Sequence, residues 1–140
     1  MSITWLQGNA LTLLENGSGF FPALQAAIDG ANTEIFLESY IFANDETGRL
    51  ISAALIRAAR RGVKVRLLVD GFGGRDFVAE LMDGLIAGGV NVLIYRREVG
   101  LMSLRRRRLR RLHRKLSVID GRIAFVGGIN IVSDFEAPAL

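Results

Sequence analysis

Apolar runs rich in β-branched and aromatic residues alternate along this chain with longer segments of helical periodicity. The runs TEIFLESYIF (33–42), VKVRLLVDG (63–71) and VNVLIYR (90–96) are typical of buried strands. Between them lie DETGRLISAALIRAARRG (45–62) and RDFVAELMDGLIAGG (75–89), which are predicted helices. Strands separated by single helices indicate βαβ units, so we expect an α/β fold with a mostly parallel sheet and helices on both faces.

The N-terminal part of the chain is predicted to add one more strand and one more helix. ALTLLENG (10–17) has the pattern of a strand and turn, and FFPALQAAIDGA (20–31) that of a helix with Pro22 near its first turn. With 140 residues, about half of them apolar, the chain is long enough to bury a core and suits a single domain over residues 1–140.

The C-terminal part of the chain is predicted to form a β-hairpin. Its two apolar runs, HRKLSVID (113–120) and RIAFVGG (122–128), are separated by Asp120-Gly121. Asp-Gly between two such runs is a strong signal for a tight hairpin turn. We therefore expect an antiparallel hairpin beside the mostly parallel part of the sheet.

The first strand of this hairpin has polar side chains at alternate positions. Because strand side chains alternate between the two faces, His113, Lys115 and Ser117 share one face of the sheet. An imidazole and an ammonium about 7 Å apart suit a phosphodiester, since the imidazole can attack phosphorus and the ammonium can neutralise the non-bridging oxygens. Asp120 faces away from them, and we expect it to orient the loop or a neighbouring strand through hydrogen bonds.

The residues after the second strand can complete a phosphate site. Gly127-Gly128 allows backbone amides to approach a ligand closely, and Asn130 can donate an amide hydrogen bond to a phosphate oxygen. A lone histidine, lysine or glycine pair is usually structural. Together they form a long pattern of His-x-Lys, four residues, Asp, six residues and Gly-Gly-x-Asn, which is improbable by chance.

Positive charge is concentrated in one segment of the chain. Ten of the 18 basic residues lie between Arg96 and Lys115 with a single acid, Glu98, so this segment carries a charge of +9. Residues 96–112 are predicted as a basic loop or an interfacial helix, which suits the surface of an anionic bilayer or nucleic acid. From charge alone, a solvated loop is the simpler interpretation. The candidates for anionic-surface binding are Arg105, Arg106, Arg107, Arg108, Arg110 and Arg111.

Composition excludes several kinds of site. The chain has no cysteine, which excludes disulfides, thiolate metal sites and a cysteine nucleophile. The N-terminus lacks the pattern of a signal peptide, and no uncharged stretch approaches the ~20 residues that cross a bilayer. We therefore expect neither secretion nor a membrane span.

Three further polar positions are weaker candidates. In LLVDGFGG (67–74), Asp70 and three glycines follow a strand, but the G-x-G-x-x-G spacing of dinucleotide sites is missing, so a tight strand-to-helix turn is the preferred interpretation. Glu38 is an acid in an otherwise apolar strand, and it either supports the site by pairing with a basic residue or faces the surface. Ser117 is a candidate supporting residue because it shares a face with the histidine and the lysine.

HRKLSVID resembles the HxKxxxxD (HKD) motif of the phospholipase D superfamily, and GGIN matches the usual continuation of that motif. A narrower resemblance covers nearly the whole chain. LLENGSGFFPALQAAIDGA, IFLESYIF, ALIRAARRGVKVRLLVDGFGG and the arginine run before His113 together resemble the N-terminal half of bacterial cardiolipin synthases. The fold implied by this resemblance is a phospholipase D-like half-domain.

The activity that the resemblance implies is a two-step phosphatidyl transfer without a metal or another cofactor. His113 would form a phosphohistidine or protonate the departing alcohol, and Lys115 and Asn130 would hold the phosphate. Asp120 would be the structural member of the motif. Phosphatidylglycerol would be donor and acceptor, and glycerol would leave, at the cytoplasmic face of the inner membrane. Since a neutral nucleophile and a protonated partner are both needed, we expect a bell-shaped pH dependence.

The chain has a single histidine and can therefore provide only half of a two-histidine site. In the family, the second HKD half comes from the same chain or from homodimerisation, and a strand with an acidic residue follows Gly-Gly-x-Asn. We therefore expect a truncated half-enzyme that needs a second HKD half, from a missing C-terminal region or a second copy. Two alternatives stay open, namely a one-motif homodimeric phosphodiesterase or nuclease, and a non-catalytic fragment that binds anionic membranes or, less favoured, nucleic acid.

Overall fold

The structure is a computed structural model that describes residues 7–96 and 111–133. The helices and strands within these ranges are α1 (Asn16–Asp29), β1 (Glu34–Ser39), α2 (Glu46–Arg60), β2 (Lys64–Asp70), α3 (Arg75–Glu80), α4 (Met82–Ala87), β3 (Asn91–Tyr95), β4 (Lys115–Ile119) and β5 (Ile123–Gly127). The strands form one sheet in the order β3-β2-β1-β4-β5. The first three strands are parallel, whereas β4 is antiparallel to β1 and β5 is antiparallel to β4. The expected α/β class is confirmed, and the sheet is mixed.

Alternate residues of the central strands are buried beneath the helices. On β1 these are Ile35 and Leu37, and on β2 they are Val65, Leu67 and Val69. Burial of such β-branched and leucine side chains stabilises the fold by about 1.5–3 kcal/mol for each one. The helices contribute Leu24, Ile28, Leu55, Phe77 and Leu85 to the same core.

The described helices lie on one face of the sheet, which corrects the prediction of helices on both faces. α1 contacts α2, and α2 contacts both α4 and the sheet. On the opposite face, Phe36, Leu93 and Val126 are 41%, 66% and 81% exposed. The reason is the strand order: β1, β2 and β3 advance in one direction, so right-handed crossovers place their helices on the same side.

The prediction for the N-terminal part is wrong in two respects. Residues 7–15 form no strand, and α1 begins at Asn16, so Pro22 is the seventh residue of the helix and lies beyond its first turn. The two glycines early in this helix are poor helix formers and look like turn residues. Burial of Leu24 and Ile28 in the core outweighs that local preference.

The segment predicted as one helix over 75–89 is two short helices separated at Leu81. With this bend, Phe77 packs against Phe42, their ring centroids 4.9 Å apart, and Leu85 also enters the core. The sequence periodicity does not reveal the bend because both halves keep the apolar spacing of a helix.

The predicted hairpin is confirmed. β4 and β5 are joined by Asp120-Gly121, whose φ angles are +52° and +62°. Positive φ at both central residues is the type I′ turn that Asp-Gly favours. The turn lies at one end of β4, and His113 and Lys115 lie at the other.

Candidate active site

The amino end of β4 lies at the same edge of the sheet as the carboxyl ends of the parallel strands, because β4 is antiparallel to β1. Lys115 is the first residue of β4, and His113 precedes it by two positions. Open α/β sheets bind ligands at the carboxyl edge of their parallel strands. The topology therefore brings both predicted residues to the edge where a ligand is expected.

Lys115 and His113 are in direct contact. Lys115 Nζ lies 3.2 Å from Nδ1 and 3.3 Å from Nε2 of His113, and it donates a hydrogen bond of 3.1 Å to the His113 carbonyl oxygen. Residues i and i+2 of a strand are about 7 Å apart, which is the separation that the sequence predicts for these two groups. The observed contact is much closer because the lysine side chain folds back onto the imidazole ring. Because an ammonium donates and does not accept, this contact suits a ring nitrogen that carries no proton.

The two side chains differ in burial. His113 is exposed, whereas Lys115 is buried. Burial lowers the pKa of the Lys115 ammonium below its ordinary value, because the charged form loses hydration. Of the two groups, the imidazole is therefore the one that is open to solvent.

Tyr40 completes this cluster, although no sequence motif marks it as a site residue. Its ring centroid lies 4.9 Å from that of His113, and Lys115 Nζ lies 5.4 Å from the Tyr40 centroid. A cation at this distance from an aromatic face is attracted to it. The sequence signal is weak because the run 33–42 resembles one continuous strand, whereas β1 ends at Ser39 and Tyr40 follows it at the ligand edge.

Gly127 and Gly128 leave open space beside Lys115. Gly127 is the partner of Lys115 in the β4–β5 register. A Cβ atom at either glycine would meet no atom of the described residues within 4 Å. Both glycines border a cavity of about 400 Å³ that Lys115 and Ser117 also line. These glycines therefore leave room for a ligand beside Lys115, because no described residue fills the space that a side chain would occupy.

Asn130 connects this loop to the chain that follows β1. Its Oδ1 accepts a hydrogen bond of 3.1 Å from the backbone N–H of Ile41. Next to it, Ile131 and Ala43 continue the connection, since the Ala43 N–H donates to the Ile131 carbonyl oxygen at 2.9 Å. With Oδ1 used in this way, Nδ2 is the side of the amide that has hydrogens to donate to a phosphate.

Asp120 contacts the segment that leads into β1. Its carboxylate accepts hydrogen bonds of 2.8–2.9 Å from the backbone N–H groups of Asn32, Thr33 and Glu34, and another of 2.8 Å from the Thr33 hydroxyl. The backbone donors, that of Glu34 most of all, hold the pKa of this carboxyl far below its usual range. These are the contacts that an orienting residue of the motif needs.

Glu38 and Ser117 lie on opposite faces of the sheet. Glu38 pairs with Arg114, whose Nε atom is 2.9 Å from Glu38 Oε2. Arg114 lies between the two site residues in sequence, but alternation places it on the other face. Ser117 is buried on the face of Lys115. Both residues border the cavity, but the Glu38 carboxylate is paired with Arg114 on the other face, whereas Ser117 shares the face of Lys115.

Most of the basic segment lies outside the described residues, including Arg105, Arg106, Arg107, Arg108 and Arg110. Arg111 is described, and its guanidinium lies 5.0 Å from the ring centroid of Phe72. Arg75 stacks on the same ring at 4.4 Å. Phe72 belongs to the turn after β2 and is 48% exposed, so an exposed aromatic ring between two arginines lies at the edge where the site is found.

Within residues 7–96 and 111–133, no three carboxylate or imidazole side chains are grouped as a metal site would need. Among the helices α1 to α4, none has the length and apolar character to cross a bilayer.

Comparison with known proteins relates the chain to one family. The family model described as "Cardiolipin synthase, PLD-like domain" matches residues 24–134. Cardiolipin synthase B of Escherichia coli (strain K12) is 44% identical over 130 residues, which cover 93% of this chain and 32% of that protein. A cardiolipin synthase of Geobacillus kaustophilus is 37% identical over 123 residues, covering 88% of this chain and 24% of that protein. The chain thus spans a third or less of these relatives.

Two solved structures share the fold. The phospholipase D family member Nuc from Salmonella typhimurium superposes with a TM-score of 0.66 at 24% identity, over 89% of this chain and 73% of Nuc. NucT from Helicobacter pylori gives a TM-score of 0.61 at 22% identity, over 79% of this chain and 66% of NucT. At these identities the likeness concerns the fold alone.

Proposed function

This chain belongs to the family of cardiolipin synthase PLD-like domains, and on that premise we propose that it provides one half-site of a phosphatidyltransferase. The proposed reaction moves a phosphatidyl group from one phosphatidylglycerol to another and releases glycerol. The observation that supports it most directly is the contact between the Lys115 ammonium and the His113 imidazole, beside the open space at Gly127 and Gly128.

His113 is the proposed nucleophile, and with the roles exchanged it is the proton donor. A neutral ring nitrogen attacks phosphorus, so that a nitrogen–phosphorus bond forms and the bond from phosphorus to the glycerol oxygen breaks. A histidine of the second half-site gives its proton to that oxygen. In the return step the same histidine takes the proton of the acceptor hydroxyl, whose oxygen attacks phosphorus and frees His113.

The phosphate oxygens need stabilisation as negative charge develops on them. Lys115 Nζ lies within 3.3 Å of both ring nitrogens, so a phosphate bound to either nitrogen is within reach of the ammonium. Nδ2 of Asn130 and the backbone N–H groups of Gly127 and Gly128 are the other proposed donors. Asp120 keeps a structural role in this proposal, because its contacts lie at the far end of β4.

The second half-site is a proposed partner of this chain. Because the chain matches only 32% of the Escherichia coli relative, we place the second HKD half in another part of a longer protein, with a second copy of the chain as the alternative. Anionic lipid is the other partner. Arginines around the exposed Phe72 ring suit a lipid headgroup region, which supports peripheral binding at the cytoplasmic face of the inner membrane.

Reconstitution on phosphatidylglycerol vesicles tests this proposal. The chain is assayed alone and together with the remaining part of Escherichia coli cardiolipin synthase B, expressed separately, and each arm is repeated with His113→Ala. We expect cardiolipin and free glycerol from the mixture and neither from the mixture with His113→Ala. Mass spectrometry of the trapped intermediate should find a phosphoryl adduct on His113.

Each other outcome selects a different function. Product that survives His113→Ala contradicts the proposed nucleophile, and product from the chain alone indicates a site built from two copies. A parallel arm with linear DNA tests the nuclease alternative, in which DNA is cut and phosphatidylglycerol is not consumed. Vesicle binding without turnover in any arm supports the non-catalytic alternative.

A further inference from the structure

We propose that Asp70 is the positioning residue of His113. Asp70 is the last residue of β2, and its side chain is fully buried. The inference is that its carboxylate holds the backbone directly before His113 and so fixes the direction of the imidazole. It rests on the proposed function, because the chemistry assigned to His113 is what makes the ring position important.

The Asp70 carboxylate joins two segments that are far apart in sequence. Oδ1 accepts a hydrogen bond of 2.8 Å from the backbone N–H of Phe72, in the turn after β2. Oδ2 accepts a hydrogen bond of 2.9 Å from the backbone N–H of Leu112, which is 42 residues away. The Arg111 guanidinium is 3.8 Å from Oδ1 and adds a partner of opposite charge. One carboxylate thus links the end of β2 to the two residues before His113.

The charge and shape of a carboxylate suit this position. A buried charge is costly unless it is paired and hydrogen-bonded, and Asp70 has N–H donors on both oxygens. Asparagine has nearly the same shape, but its NH₂ group would face an N–H donor on one of the two sides. Oδ1 faces three donors, the N–H groups of Phe72 and Gly73 and the Arg111 guanidinium, so the asparagine oxygen should take that place and its NH₂ group should face Leu112. Asp70→Asn therefore removes the Leu112 connection and leaves the side-chain volume unchanged.

The connection is close enough to His113 to control it. Leu112 is held by Asp70, and Lys115 is held by its strand partners on β5, so only His113 and Arg114 lie between two fixed points. His113 itself is exposed, and its described contacts are with Tyr40 and Lys115. Loss of the Leu112 connection therefore leaves the backbone before the imidazole held only by the burial of the Leu112 side chain.

Asp45 provides a matched control. It is also buried, and it also joins a nearby segment to a distant one, since it caps the start of α2 by accepting from the backbone N–H of Gly48 and also accepts from that of Ser133, each at 2.7 Å. None of these contacts reaches a residue next to His113. Asp45→Asn therefore makes the same chemical change in the same kind of connection, away from the imidazole.

The test uses the full chain and the fact that His113 is its only histidine, so its ring protons give a single set of NMR signals. The wild type, Asp70→Asn and Asp45→Asn are compared after circular dichroism has shown that each of them is folded. We expect the nuclear Overhauser effect between the His113 and Tyr40 rings to fall at least twofold in Asp70→Asn and to stay at the wild-type value in Asp45→Asn. An unchanged effect in Asp70→Asn, or an equal loss in Asp45→Asn, overturns the proposal.

A second variant covers the case in which Asp70→Asn does not fold. Replacing the Leu112 amide by an ester removes the N–H that Asp70 Oδ2 accepts and keeps both side chains. The same loss of the ring–ring effect is expected in this variant, and its persistence contradicts the proposal.

Kinetics in the reconstituted transferase separate this inference from the proposed function. We expect Asp70→Asn to lower kcat at least tenfold with KM for phosphatidylglycerol within twofold, and Asp45→Asn to lower kcat less than threefold. If His113→Ala keeps full activity, the proposed function fails while the NMR comparison still decides the position of the ring. If His113→Ala is inactive and the Asp70→Asn ring contacts are unchanged, the positioning role alone fails.

Discussion

The two ends of β4 are each held by an aspartate carboxylate, in different ways. At the turn end, Asp120 belongs to β4's own hairpin, is partly exposed, and binds the segment before β1. At the His113 end, the carboxylate comes from another strand, is fully buried, and binds the backbone N–H of Leu112. The motif His-x-Lys-x₄-Asp therefore includes the residue that fixes one end of its strand and omits the residue that fixes the other.

This difference separates chemistry from support along one strand. About 16 Å of extended chain lies between Lys115 and Asp120, at about 3.3 Å for each residue. Substitutions at the Lys115 end should change turnover more than stability, and those at the turn end should do the reverse.

His113→Ala should lower the rate of phosphatidyl transfer in the reconstituted assay at least ~1000-fold, because the ring nitrogen is the proposed nucleophile. The side chain is exposed, so the free energy of unfolding should change by less than about 0.5 kcal/mol. Turnover and urea unfolding measure the two effects. The matched control is Arg114→Ala, on the opposite face, which removes the ion pair with Glu38 and should keep turnover within threefold. Equal damage in both variants would contradict the assignment of faces.

Lys115→Met should lower kcat by about 100- to 1000-fold, because an ammonium that stabilises the developing charge on phosphate is lost. Methionine has a similar volume and no charge to bury, so stability should be unchanged or higher. Single-turnover kinetics with phosphatidylglycerol and thermal unfolding are the measurements. A loss of stability with normal turnover would make Lys115 a structural residue and would remove the division proposed for β4.

Gly127→Ala should lower turnover by about 10- to 100-fold, because the new methyl group enters the space left for the ligand beside Lys115. Stability should change little, since the added Cβ is more than 4 Å from every atom in the part of the chain that the structure describes. Gly88→Ala is the opposite case: its Cβ would lie 2.7 Å from Ile56 Cγ1, so it should cost about 1–3 kcal/mol of stability and leave kcat unchanged. Unfolding curves and initial rates for both variants separate the two effects.

Sequence patterns predict those features of this fold that depend on neighbouring residues. Alternation placed His113 and Lys115 on one face, and Asp120-Gly121 located the turn, because strand periodicity and turn geometry are local properties. The contact of Tyr40 with His113 depends on where β1 ends and which strand lies beside it. The link from Asp70 to Leu112 likewise depends on strand order, which apolar spacing does not encode.

The placement of the helices shows the same limit. The alternation of strands and helices predicts an α/β class, but the choice between one face and two depends on whether successive strands advance in one direction or reverse. The order β3-β2-β1 advances in one direction, and a single sequence contains no direct signal for that order.

Asp120→Asn should have the smallest effect on turnover, within about threefold, because its contacts lie at the turn end of β4.

The effect of Asp120→Asn on stability should depend on pH. Hydrogen bonds from the backbone of residues 32–34 hold the folded-state pKa of Asp120 far below the ordinary value of about 3.9. On acidification the unfolded chain therefore takes up this proton first, so the contribution of Asp120 is complete above the ordinary value and is lost as pH falls towards the folded-state pKa. Urea unfolding at pH 7, 5, 4 and 3 should show a stability difference between wild type and variant that is largest at neutral pH and shrinks below about pH 4. A stability difference that stays constant down to pH 3 would mean that the charge of the Asp120 carboxylate does not hold the turn end. Asp120 and Asp70 would then differ only in how deeply their carboxylates are buried.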